Sequence, residues 1–74
     1  MSYGSYKEET KILHNVAILN LTKKAVLCVG LNWDKELWIP RSVLSTRTDR
    51  NLRKLKTMDM QIAAWYVKEA ELHD

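Results

Sequence analysis

Histidine, cysteine and paired carboxylates build most catalytic sites, and this chain offers few of them in useful spacings. The two histidines, His14 and His73, lie at opposite ends of the chain, and the one cysteine, Cys28, lies in its most apolar run. A buried thiol has a raised pKa and behaves as a small hydrophobic side chain. We therefore expect a protein that is not an enzyme.

Metal and cofactor sites are also not predicted. A zinc site needs about four ligands at short spacings, which the two histidines and one cysteine do not supply. With only two glycines in the chain there is no glycine-rich phosphate loop. We expect no cofactor and no metal.

Positive charge is concentrated between residues 41 and 56. This stretch holds six cations and one acid, whereas the rest of the chain holds six cations and eight acids. The cations are Arg41, Arg47, Arg50, Arg53, Lys54 and Lys56, and the acid is Asp49. The hydroxyls interleaved with them, on Ser42, Ser45, Thr46 and Thr48, suit phosphate contacts. The segment is either a surface for an acidic partner or a solvated loop.

The three tryptophans are expected in two kinds of position, a strand or helix and a turn. Trp38, in a predicted strand, and Trp65, in a predicted helix, are expected in the core, because a small domain needs large apolar side chains. Trp33 lies in a turn between Asn32 and Asp34. It is either an exposed anchor for a partner or a base, or a lid folded back over the sheet.

The elements that position these side chains are three strands and a helix. Alternation and turn residues predict strands at 12–21, 25–31 and 36–39, and Pro40 ends the third. A helix is predicted from Met60 to Leu72, capped by Asp59. Leu52 and Leu55 fit one helical turn or a short strand. The fold class is α+β: a three-stranded antiparallel β-meander, a small SH3/OB-like sheet, with a C-terminal α-helix.

Composition places the chain among small intracellular proteins. We expect a flexible arm at residues 1–9 and one small α+β domain at residues 10–74. A single cysteine excludes an intrachain disulfide, and no apolar run approaches the ~20 residues of a membrane span. The N-terminus lacks the apolar region of a signal peptide. A cytoplasmic location without membrane contact is expected.

The stretch NVAILNLTKKAVLCVGLNWDKELWIPRSVLS, followed later by QIAAWYVKEAEL, resembles a group of very short, mostly uncharacterised phage and prophage proteins. The likeness covers about two thirds of the chain. The matching motifs are Lys24-Ala25-Val26-Leu27, Trp38-Ile39-Pro40-Arg41-Ser42 and Ile62-Ala63-Ala64-Trp65. The segment from Thr46 to Thr57 departs from the group because it is longer and more cationic.

The resemblance implies a protein of the host cytoplasm and a role in countering host machinery, as anti-CRISPR proteins do. Our first hypothesis is a module that binds and inhibits a host protein or ribonucleoprotein complex, using Trp33 and the cations of residues 41–56. The alternative is a nucleic-acid-binding accessory or regulatory protein that uses the same basic segment. A homo-oligomer of structural role is left open, because small cores often need a partner subunit.

Overall fold

A computed structural model describes residues 9–74 and shows a four-stranded antiparallel sheet with two short helices. The strands are β1 (Thr10–Leu21), β2 (Ala25–Val29), β3 (Leu37–Pro40) and β4 (Thr57–Ala63), in the order β3-β2-β1-β4. The helices are α1 (Thr46–Arg50) and α2 (Ala64–Glu69), and a 3₁₀ turn spans Arg41–Val43. The α+β class, the antiparallel sheet and the C-terminal helix are confirmed, but the sheet has four strands and not three.

The fourth strand includes residues 60–63, which were predicted to form the first part of the helix. Met58, Met60 and Ile62 alternate along β4 and face the core, with Met60 and Ile62 fully buried. This period of two is the mark of a strand, and it prevails over the helical spacing of the residues that follow. The helix is therefore limited to α2. Asp59 caps no helix, and its Oδ1 instead accepts the backbone N–H of Asn15 at 3.1 Å.

Strand β1 contains two bulges that set which of its side chains face the core. Leu13 pairs with Met60 and Val16 with Met58, so two residues of β1 lie opposite the single residue between those partners. Asn15, one of the two, has φ 57°, a left-handed conformation that asparagine tolerates better than most residues.

The second bulge lies between Ile18 and Asn20, opposite β2. It places Leu21 on the core face, opposite Val26, and leaves Asn20 exposed. Strict alternation predicts the reverse, with Asn20 beside Ile18 and Leu21 on the other side. That prediction was wrong because the extra residue shifts the register by one.

The hydrophobic core lies on one side of the sheet and is completed by the connections. Its largest fully buried side chains are those of Ile18, Ile39, Met60, Ile62, Val16, Val26 and Cys28. Leu44 and Leu52 from the basic segment, and Val67 and Leu72 from the C-terminal region, cover this face. The segment between β3 and β4 is therefore part of the folded body, and Leu44 forms a bridge with Ile62.

Between residues 46 and 57 the chain forms one helical turn and then an irregular return to β4. The Ser45 side chain caps α1 by accepting the N–H of Thr48 at 3.2 Å. Leu52 is buried, whereas Leu55 is 80% exposed and has φ 65°. The spacing of the two leucines allowed both to pack on the same side of a helical turn or a strand, but only Leu52 packs against the core.

The predicted flexible arm, residues 1–9, lies outside the described residues except for Glu9. The Glu9 carbonyl accepts the N–H of Ala64 at 2.9 Å, which joins the start of β1 to α2. Among residues 9–74, no helix has the length and apolar character to cross a membrane.

Candidate functional site

Five of the six predicted cations lie exposed on the connection between β3 and β4. Arg47 and Arg50 are on α1, and Arg53, Lys54 and Lys56 are on the return to β4. None of the five is within ion-pair distance of a carboxylate in residues 9–74, where the ion pairs are His14–Asp74 and Arg41–Asp49. The guanidinium of Arg53 donates to the Leu52 carbonyl at 2.9 Å. Because a carbonyl is neutral, this hydrogen bond does not compensate the charge of Arg53.

Arg41, the sixth cation, has a structural role. Its Nε lies 2.6 Å from Asp49 Oδ1, and its Nη1 donates to the Thr22 carbonyl at 2.8 Å. Its backbone N–H donates to the Lys24 carbonyl at 2.8 Å. Arg41 therefore joins α1 to the β1–β2 turn, and its charge is compensated within the fold. The prediction that it contacts a partner is not favoured by this geometry.

The contacts of Arg41 bring two further cations to the basic segment. Lys23 and Lys24 are exposed in the β1–β2 turn, whose shape is set by Thr22 Oγ1, which accepts the N–H of Ala25 at 3.0 Å. The sequence carried a signal for this proximity: a hairpin in which Pro40 faces Ala25 places Arg41 beside Lys24. We call the following set the basic surface: Lys23, Lys24, Arg47, Arg50, Arg53, Lys54 and Lys56.

Two of the hydroxyls suited to phosphate are used inside the protein. Thr48 is buried, and its Oγ1 accepts the N–H of Gln61 at 2.9 Å. The Ser45 N–H donates to the Gln61 carbonyl at 2.9 Å, so both residues attach α1 to the edge of β4. Ser42 and Thr46 are exposed beside the basic surface.

Trp33 is partly buried and packs against the hydrophobic core. Its Nε1 donates to the His73 carbonyl at 2.6 Å, and the ring lies over Gly30. A Cβ built on Gly30 would lie 2.5 Å from Trp33 Nε1, so the ring needs a residue without a side chain beneath it. Of the two interpretations, this geometry corresponds to the lid, and contact of Trp33 with a partner stays a prediction.

The other two tryptophans also differ from expectation. Trp38 is 48% exposed and Trp65 is 52% exposed, so neither is a core residue. Trp38 lies on the face of the sheet opposite the core, since its neighbours Leu37 and Ile39 take the core face. Trp65 stands at the start of α2, edge-on to Tyr66 with ring centroids 5.7 Å apart. Trp38, three residues before Arg41 in the chain, is thus an exposed aromatic side chain.

Cys28 lies in the core next to Tyr66. Burial raises the pKa of the Cys28 thiol to about 12, so the thiolate is not formed near neutral pH. Burial, with the nearby Cys28, also raises the pKa of Tyr66. Within residues 9–74, no three His, Cys, Asp or Glu side chains are grouped closely enough to hold a metal ion.

Comparison of the chain with protein-family models, with curated proteins and with solved structures gave no match.

Proposed function

We propose that the protein is a small binding module of phage type that inhibits or modulates a host protein or ribonucleoprotein complex by stoichiometric attachment, without catalysis. The observation that carries the proposal is the basic surface. Its seven cations come from two segments that Arg41 joins, and the only acid in those segments, Asp49, is paired with Arg41. Like charges held together repel one another, and an acidic partner relieves that repulsion on binding.

The assignment to counter-defence is a part of the proposal that rests on the phage-type motifs of the sequence. The expected target class is a CRISPR or similar defence complex in the host cytoplasm. Such complexes carry a guide RNA, whose phosphate backbone is an anionic surface. The sign of the basic surface fits attachment to an anion, and it does not fit mimicry of nucleic acid through this face.

Affinity capture of the tagged protein from host lysate, with and without nuclease treatment, tests the proposal. We expect a discrete partner in a fixed stoichiometry. A protein partner should be captured from both samples, and the protein component of a ribonucleoprotein partner should be retained after nuclease treatment. Recovery of heterogeneous nucleic acid that disappears completely after nuclease would contradict the proposal.

Direct binding of nucleic acid is the second candidate, and the number of uncompensated cations favours it. Each phosphate neutralised releases counterions, so affinity should fall steeply with salt. Mobility-shift titrations at two salt concentrations measure this slope. Absence of a shift at low salt with about 10 µM protein, which lies inside the usual range of non-specific binding, would exclude this candidate.

A further inference from the structure

The sheet has a second face, opposite the core, that carries Trp38. Across this face Trp38 is paired with Leu27, and Leu27 with Asn20. The next row contains Val29, Ala17 and Thr57. We call this set the open face: Trp38, Leu27, Asn20, Val29, Ala17 and Thr57. Its side chains are uncharged, most of them are small or half-buried, and the indole of Trp38 is the largest exposed group among them.

The open face and the basic surface meet at one end of the sheet. Pro40, on the same face as Trp38, is paired with Ala25, the first residue after the β1–β2 turn. The next residue, Arg41, holds that turn through the carbonyls of Thr22 and Lys24. Lys23 and Lys24 precede Leu27, the partner of Trp38 in β3, by four and three residues. Their exposed side chains therefore lie near the end of the sheet that carries Trp38.

We propose that the open face and the Lys23–Lys24 turn bind a single-stranded stretch of nucleic acid, with a base stacked on Trp38 and its phosphates at the two lysines. Sequence-tolerant binding of single strands combines these two parts, an aromatic platform and adjacent cations. The inference rests on the proposed function and deepens it, because it adds the RNA of a ribonucleoprotein complex as a component that the protein contacts beside the protein component.

Charge complementarity favours this occupant over a second copy of the chain. At the end of the sheet that meets the basic surface, an uncharged aromatic surface bordered by cations matches bases bordered by phosphates, whereas the carboxylate of Asp59 lies on the same face of β4 beyond Thr57. Strand pairing with a second copy is disfavoured at β3, one of the two edge strands, because it has four residues and ends at Pro40, which has no N–H to donate. The β4 edge is already in contact with Leu44.

The test compares a fluorescently labelled 12-nucleotide oligothymidylate with inorganic polyphosphate, which has the charge and no bases. Dissociation constants are measured at low salt for wild type, Trp38→Ala, Trp38→Tyr and a Lys23→Ala/Lys24→Ala variant. Trp38→Ala should weaken oligonucleotide binding by about 5- to 140-fold, the equivalent of ~1–3 kcal/mol of stacking. Trp38→Tyr should retain most of the affinity, and polyphosphate binding should not change in either Trp38 variant.

Three results would overturn the inference. The first is wild-type protein that does not bind the oligonucleotide, and the second is Trp38→Ala binding it as well as wild type does. The third is an equal loss for both ligands, which would indicate a structural effect. If Trp38→Ala does not fold, Thr57→Glu is measured instead. A carboxylate on the open face should weaken oligonucleotide binding, and unchanged binding would overturn the inference. The proposed function is tested separately, by the identity of the captured partner. A protein contact through the basic surface alone would therefore contradict this inference and still support the proposed function.

Discussion

Nε of Arg41 lies 2.6 Å from Oδ1 of Asp49. This ion pair compensates the charge of Arg41, whereas the other cations of its segment have no carboxylate partner within residues 9–74. The side chains are 28% and 37% exposed, and the same guanidinium also donates to the Thr22 carbonyl. One cation therefore stabilises the connection between β3 and β4, while its neighbours remain exposed.

Replacement of Arg41 by alanine should destabilise the protein by about 1–2 kcal/mol, because it removes a partly exposed ion pair and a charge-assisted hydrogen bond. For a domain of this size each kcal/mol corresponds to about 4–8 °C in Tm. Thermal unfolding measures the effect. Lys54→Ala is the matched control and should leave Tm unchanged within about 2 °C, since Lys54 has no partner in residues 9–74. Equal Tm values for both variants and wild type would contradict the structural role of Arg41.

A methyl group at residue 30 should displace the indole of Trp33. The added Cβ would lie within 3 Å of three atoms of the ring, so Gly30→Ala should cost about 1–3 kcal/mol and break the bond to the His73 carbonyl. A double-mutant cycle in urea tests this: in a Trp33→Ala background, Gly30→Ala should cost little. A full cost in both backgrounds would show that the ring is not the cause.

The thiol of Cys28 should be unreactive in the folded protein. With a pKa of about 12, about one thiol in 10,000 is ionised at pH 8, and the group is also buried. An aromatic disulfide reagent should therefore react only as fast as the protein unfolds, and rapidly in urea. Since the pKa in the folded state is raised above its ordinary value, stability should also decline as pH rises above about 9. Fast reaction of the native protein would contradict the buried position.

The ring of His14 and the carboxylate of Asp74 form an ion pair at 2.7 Å. The hydrogen bond to Asp74 raises the pKa of His14, with a smaller contribution from Asp59, and the backbone and side-chain hydrogen bonds of His14 lower the pKa of Asp74. The His14 contribution is complete below about pH 6.5 and is lost as pH rises through its folded-state pKa. The Asp74 contribution is present above about pH 4 and is lost as pH falls through its lowered pKa.

The pair should therefore stabilise the fold most between about pH 4 and 6.5. Urea midpoints of wild type and His14→Gln should differ in this window and converge above it. His73→Gln, which removes the other histidine side chain, is the control and should follow the wild-type curve. A difference between wild type and His14→Gln that persists unchanged to pH 9 would contradict the assignment.

Much of the fold follows from local patterns in the sequence, and the errors have local causes. The β1–β2 turn, the end of β3 at Pro40 and the burial of Cys28 were predicted correctly from turn residues and apolar runs. Strand β4 was missed because its alternating apolar residues run directly into the helical pattern of α2. The bulges of β1 depend on which residues lie opposite in β2 and β4, and one strand alone does not carry that information.

The candidate site was predicted in part. The cations from Arg47 to Lys56 were identified from charge alone, because a charge cluster without nearby acids stays exposed in almost any fold. The role of Arg41 depends on Asp49 and on the turn at Thr22, a contact formed only in the folded chain. The tryptophans were assigned by element type, whereas their exposure depends on which face of the sheet the core covers.

Two triple charge reversals, compared in the same capture experiment, test whether the basic surface binds the partner. Arg50→Glu/Arg53→Glu/Lys54→Glu alters the basic surface, and Lys11→Glu/Lys35→Glu/Lys68→Glu makes the same change in net charge elsewhere on exposed positions. We expect the first variant to lose the partner that wild type captures, and the second variant to keep it. Capture of that partner by the first variant at the wild-type level would contradict binding through the basic surface.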